Sequence, residues 1–130
     1  MRLKRYHGLE IAMLAVGAAA WWWSRNRPFP VTVQGSSMVP TLSEGDCLIA
    51  TVATSSVHRG SLVVLRHPDR PGYEMVKRVT RILGPDQFWV QGDNLWASTD
   101  SRSFGPVTGL AMRGLVRLRY WPPDRFALFA

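Results

Sequence analysis

After residue 28, glycine and proline cut this chain into short runs rich in β-branched and aliphatic residues, and no piece carries a helical period. Val31–Val33, Cys47–Val52, Ser61–Arg66, Tyr73–Leu83, Phe88–Gln91 and Leu115–Tyr120 each have the length and composition of a strand. The expected fold is all-β, a compact and partly closed β-barrel. With 130 residues the chain makes one modest core. It has no internal repeat and no low-complexity tract.

The N-terminal part differs in kind. Leu9–Trp23 is the one candidate membrane segment, apolar except for Glu10. As a helix it reaches about 22 Å, against a hydrocarbon core of about 30 Å. Tyr6 and Trp21–Trp23 suit the two interfaces, and the flanking arginines can snorkel. The expected organisation is a basic flank and membrane-anchor helix over 1–27, then a folded domain over 28–130. Arg25–Pro30 is read as a short linker, too rich in proline to continue a helix. The basic residues ahead of the segment favour a single pass, with the N-terminus cytoplasmic and the folded domain on the outer face. An interfacial helix and a leader cleaved after Ala18-Ala19-Ala20 are the alternatives.

Charge supports a lipid bilayer as partner and argues against nucleic acid. The net charge is +7, and Arg2, Lys4, Arg5, Arg25 and Arg27 concentrate it around the apolar run, with only Glu10 opposing them. Cys47 is alone, so the chain has no internal disulfide and no thiolate metal cage. Neither a metal nor a cofactor is expected. Asp93 and Asp100 have no histidine beside them, which weakens a metal reading. His7, His58 and His67 are assigned to surface or loops, and Trp89, Trp96 and Trp121 to core or rim positions.

Three separated segments suggest chemistry: Gly35-Ser36-Ser37-Met38-Val39-Pro40-Thr41-Leu42, Val76-Lys77-Arg78-Val79, and Gly92-Asp93-Asn94 leading to Ser98-Thr99-Asp100-Ser101-Arg102. A serine in a tight Gly/Ser turn can be exposed for attack on a carbonyl. It needs a base, and none of the three segments holds a histidine. A lysine can serve where apolar burial keeps it neutral. Alternation along a strand places Lys77 on one face with Tyr73, Met75 and Val79, and places Glu74, Arg78 and Thr80 on the other.

These three motifs, in this order, closely resemble the signal peptidase I family of membrane-bound Ser/Lys endopeptidases. The similarity covers roughly residues 31–122. It implies Ser37 as nucleophile, Lys77 as general base, and Asp93, Asn94, Ser98, Asp100 and Arg102 as braces of the site. Pairing with Arg78 or Arg102 is the expected role of the two aspartates, and Ser98 can orient the lysine amine. Many bacterial members add an oxyanion donor from a serine two residues before the nucleophile. Here that position is Gly35, which leaves Ser36 or another backbone amide as the second donor beside the Ser37 N–H.

The resemblance further implies a precursor-protein substrate with small residues beside the cut. Val33, Met38, Leu42 and Val76 are the residues expected to line its groove. Larger members insert a long segment after the lysine strand. Few residues separate Lys77 from Gly92 here, so the chain looks most like the mitochondrial inner-membrane peptidases and the maturation proteases of nickel-type superoxide dismutase. The expected function is removal of N-terminal leaders or pro-segments, with one dedicated precursor in view. A self-cleaving repressor-type protease is disfavoured because the chain has no Ala-Gly dipeptide. An inactive membrane-tethered binding module is disfavoured by intact Ser37 and Lys77.

Overall fold

The computed structural model describes residues 6–52 and 55–130. A long helix, α1 (Tyr6–Asn26), leads into a mostly antiparallel sheet. Its strands are β1 (Pro28–Thr32), β2 (Cys47–Thr51), β3 (Leu62–Arg66), β4 (Glu74–Gly84), β5 (Gln87–Gln91), β6 (Met112–Trp121) and β7 (Ala127–Leu128). The spatial order is β1-β2-β6-β3-β4-β5, with β7 added to β6. A single-turn helix, α2 (Ser101–Phe104), and two short 3₁₀ turns complete the set.

The expected strands are present, with three corrections. The sheet does not close into a barrel, because β1 and β5 end it without pairing to each other. Proline explains one open edge: Pro28 and Pro30 have no N–H to give a further strand. The expected linker is nearly absent. The helix runs to Asn26 and β1 begins at Pro28, with Arg27 turning the chain at φ 42°. Third, α1 as described falls short of the expected membrane span. No helix among the described residues is long and apolar enough to cross a membrane. Its 21 residues include His7, Gly8 and Glu10 at one end and Ser24, Arg25 and Asn26 at the other. The uninterrupted apolar part, Ile11–Trp23, measures only about 20 Å. The basic residues Arg2, Lys4 and Arg5 lie outside the described residues.

β3 explains why the domain holds together. Leu62-Val63-Val64-Leu65 is buried along its whole length, because both of its faces are covered. Leu62 and Val64 join Val33, Met38, Leu42, Leu48, Ala50 and Val116 in one cluster. Val63 and Leu65 join Met75, Val79, Val90, Val107, Met112 and Leu115 in the other. Register shifts in the β2–β6, β3–β6 and β4–β5 pairings add twist. The curled sheet brings the chain after β1 close to the start of β4.

That approach depends on a buried clamp. The stretch from Val33 to Asp46 closes on itself through Val33 N–H to Asp46 O (2.9 Å) and Gly45 N–H to Val33 O (2.9 Å). The Asp46 carboxylate, 3% exposed, accepts from Arg119 at 3.2 Å and Arg125 at 3.3 Å. Arg119 also donates to the Thr41 carbonyl at 2.8 Å, which fastens the loop to β6. Asp46→Ala would leave the Arg119 guanidinium buried without its carboxylate. The expected loss is about 3–5 kcal/mol of stability, read as a lower urea midpoint. Asp46→Ala at wild-type stability would show that the clamp does not hold the loop.

Candidate active site

Ser37 sits at the rim of the domain because its neighbours are fixed. Gly35 turns the chain at φ +77°, where a side chain would be strained. Met38 and Leu42 then plug into the core at 2% and 0% exposure, with Leu42 N–H bonded to Met38 O at 3.0 Å. Asn94 holds the turn from the other side. Its backbone N–H donates to Ser37 O at 2.9 Å and its side chain donates to Ser36 O at 3.1 Å. Among the described residues neither the Ser37 hydroxyl nor its N–H has a hydrogen-bond partner, so both are available to a ligand.

Lys77 occupies the position that strand alternation assigns. It is 3% exposed on β4, between buried Met75 and Val79. Its Nζ donates to Ser98 Oγ at 3.0 Å. Burial pushes its pKa below the ordinary lysine value; the Asp100 carboxylate opposes this and the Arg102 guanidinium adds to it. The amine is therefore biased toward its neutral form. A neutral amine that gives one N–H to Ser98 keeps a lone pair for a proton.

Behind Ser98, Asp100 is fully buried. Burial alone would raise its pKa. Hydrogen bonds from the Arg102 side chain, the Gly92 N–H, the Ser98 hydroxyl and the Arg102 N–H overcome that and hold it at about 2. Arg102 clamps it with Nε and Nη2, both at 2.9 Å. Asp100 thus caps α2, orients Ser98 and stays charged without touching the amine directly. Asp93 pairs instead with Arg78, through two bonds of 2.8 Å, and takes a further bond from the Thr41 hydroxyl. Burial raises its pKa, and these donors more than compensate, leaving it below the ordinary value. The two aspartates form separate ion pairs. One ties β4 to the Ser37 loop, and the other fixes the Ser98 loop.

Gly92 is where the three segments meet. A Cβ there would lie 2.2 Å from Ser98 Oγ and 2.5 Å from Ser37 O. Only a residue without a side chain lets the chain after β5 pass between the serine turn and the lysine's partner. Ser37 and Lys77 line one cavity of about 490 Å³ without being hydrogen-bonded to each other. Loose contacts of this kind are common in unliganded sites.

Val33, Met38 and Val76 also line the cavity. Leu42 does not: it is completely buried in the core below, because the turn sends it inward. The structure adds Tyr73, Glu74, Ala97, Thr99 and Arg113, which the sequence reading did not assign to the site. Strand alternation places Glu74 on the face of Val76, a signal that was available. Nothing in the sequence brings Arg113 there. Trp96 is 99% exposed on the loop beside Ser98, and Trp121 is exposed as well, so neither is a core aromatic. Among the described residues no group of three or more His, Cys, Asp or Glu could hold a metal ion.

β4 leaves an open edge along the cavity. Glu74–Arg78 pairs with β3 on one side, while β5 pairs only from Arg78 onward, so among the described residues the other edge of Glu74–Lys77 is unpaired. An extended peptide can add there as a strand.

The family described as signal peptidase, peptidase S26 matches residues 6–84, a stretch that includes Ser37 and Lys77. The chain is 34% identical over 118 residues to mitochondrial inner membrane protease subunit 1 of Xenopus tropicalis, covering 74% of this chain and 71% of the relative. It is 34% identical over 119 residues to mitochondrial ATP-independent inner membrane protease subunit 1a of Arabidopsis thaliana, covering 72% and 71%. It is 31% identical over 118 residues to human mitochondrial inner membrane protease subunit 2, covering 72% and 67%.

A buried lysine has a cost that a neutral side chain avoids. Lys77→Met should raise the melting temperature at neutral pH. The folded-state pKa is lowered, so the unfolded chain binds more protons and wild-type stability rises with pH toward 10.5. The gap between variant and wild type should therefore narrow as pH increases. A Lys77→Met protein less stable than wild type at pH 7 would contradict the burial argument.

Proposed function

As the chain belongs to the signal peptidase family, peptidase S26, and that family carries out proteolysis, we propose that it is a serine endopeptidase working through Ser37 and Lys77 on precursor proteins. The observation that carries this reading is Lys77, buried, hydrogen-bonded to Ser98 and lining one cavity with Ser37, whose hydroxyl has no hydrogen-bond partner among the described residues. Neutral Lys77 takes the Ser37 hydroxyl proton as Oγ attacks the scissile carbonyl carbon. The Ser37 N–H faces the developing oxyanion, and with Gly35 lacking a hydroxyl the second donor is another backbone amide of the same turn. The Lys77 ammonium returns its proton to the leaving amine. Water, deprotonated by Lys77, then hydrolyses the acyl-enzyme.

The substrate is an N-terminal leader or pro-segment, laid as a strand along Glu74–Lys77 with small residues at the cut. Val33, Met38 and Val76 supply the apolar floor. A single dedicated precursor, such as that of a nickel superoxide dismutase, suits a domain this short. Residues 28–130 form the catalytic unit and 1–27 the membrane-associating one. Trp21–Trp23 and Arg25 of α1 are exposed and suited to a bilayer surface.

Ser37→Ala and Lys77→Ala should each lower kcat for a leader peptide by about 10⁴-fold or more, and the double variant should be no worse. Ser36→Ala should retain substantial activity. The kcat of the wild type should rise with pH through an apparent pKa below 10.5, in the direction set by Lys77 burial. Full activity of Ser37→Ala, measured by peptide cleavage, would overturn the assignment.

A further inference from the structure

The cavity has a charged end that the proposed chemistry leaves unused. Glu74 lies on β4 three residues before Lys77, about 10 Å along the strand. Arg113 of β6 reaches it there, with Nη1 3.0 Å from each carboxylate oxygen. The guanidinium lies 4.2 Å over the Phe29 ring, which fixes its plane. The whole bond to Glu74 uses one nitrogen. Among the described residues Arg113 Nε and Nη2 have no hydrogen-bond partner, and the side chain is 40% exposed. Arg66, in register with Glu74 on β3, adds a second positive charge nearby. The local balance is therefore positive, and Arg113 lines the cavity.

Extended peptide and strand share a rise of about 3.3 Å per residue. A peptide paired along Glu74–Lys77 with its scissile bond at Ser37 has its third or fourth residue from the cut beside Arg113. We propose that Arg113 is a specificity-determining residue that selects an acidic side chain at this distance from the scissile bond. Glu74 holds the guanidinium in place and competes mildly with the substrate carboxylate. Asp or Glu at that position accepts from the free Nε and Nη2 in the paired geometry that arginine favours. This inference rests on the reading of the cavity as the peptide cleft.

The test is a peptide series with alanine flanking the cut, in which one Asp is walked along each side of it, with Ala and Lys controls. The wild type should prefer Asp over Ala by about threefold or more in kcat/KM at the third or fourth residue, on one side only, the scale of a partly exposed ion pair. Added salt should weaken the preference. Arg113→Gln should bring the Asp/Ala ratio to about one, Arg113→Lys should restore part of it, and Glu74→Gln should raise it. Binding of the same peptides to the Ser37→Ala variant, read by fluorescence polarisation, should follow the same order. A ratio near one at every position in the wild type would overturn the proposal. So would a preference that survives Arg113→Gln, or Lys favoured over Asp. Cleavage that is insensitive to Ser37→Ala would instead overturn the peptidase reading, whatever the charge preference.

Discussion

The burial of the Lys77 amine is the constraint on which the site depends. An ammonium there would lack solvent, and the one hydrogen bond to Ser98 is a neutral one. The nearby carboxylate, Asp100, could have stabilised the charge by direct pairing. Its oxygens are occupied by Arg102 and the Gly92 N–H, so its influence reaches the amine mainly through the field and the Ser98 hydroxyl. The balance favours the neutral amine, the form a general base requires. Arg102 works in the same direction twice, by occupying Asp100 and by adding its own positive charge.

The rest of the architecture places Ser37 and that amine on one cavity. The Ser37 loop is self-closed between Val33 and Asp46, plugged by Met38 and Leu42, and tied to β6 by Arg119. Asn94 and the Thr41–Asp93–Arg78 chain then fasten it to β4 and the following loop. Gly92 permits the final approach, since any side chain would push Ser98 and Ser37 apart. The opening left by an unclosed sheet is useful in the same scheme. It exposes the unpaired edge of Glu74–Lys77, where a strand-like ligand can add.

Much of this was legible in the chain because it follows from local rules. β-Branched runs between Gly and Pro marked the strands, and alternation placed Lys77 with Tyr73, Met75 and Val79 on one face; Met75 and Val79 are buried there, whereas Tyr73 precedes β4 and is half exposed. The link from Lys77 to Ser98 followed from the family resemblance. What was not legible depends on distant partners. Asp46 gives no sign in the sequence that Arg119 and Arg125 will bury it. Leu42 reads as a groove residue until the turn is seen to send it into the core. Trp96 reads as a core or rim aromatic, and its loop, held by Asn94 and Arg102, leaves the ring fully outside. Barrel closure failed for a reason the sequence did contain, the prolines of β1, which were read as a linker. The polar ends of α1, with Glu10 on one side and Ser24, Arg25 and Asn26 on the other, leave its apolar part short of a span.

The most direct test of the account is the titration of Lys77 itself. Its Cε and Hε resonances, followed by NMR in lysine-labelled Ser37→Ala protein and assigned by loss in Lys77→Met, report the amine's protonation without turnover. The account predicts a midpoint clearly below the ordinary 10.5. A midpoint at or above 10.5 would mean that the amine is charged at working pH, and would contradict Lys77 as the base.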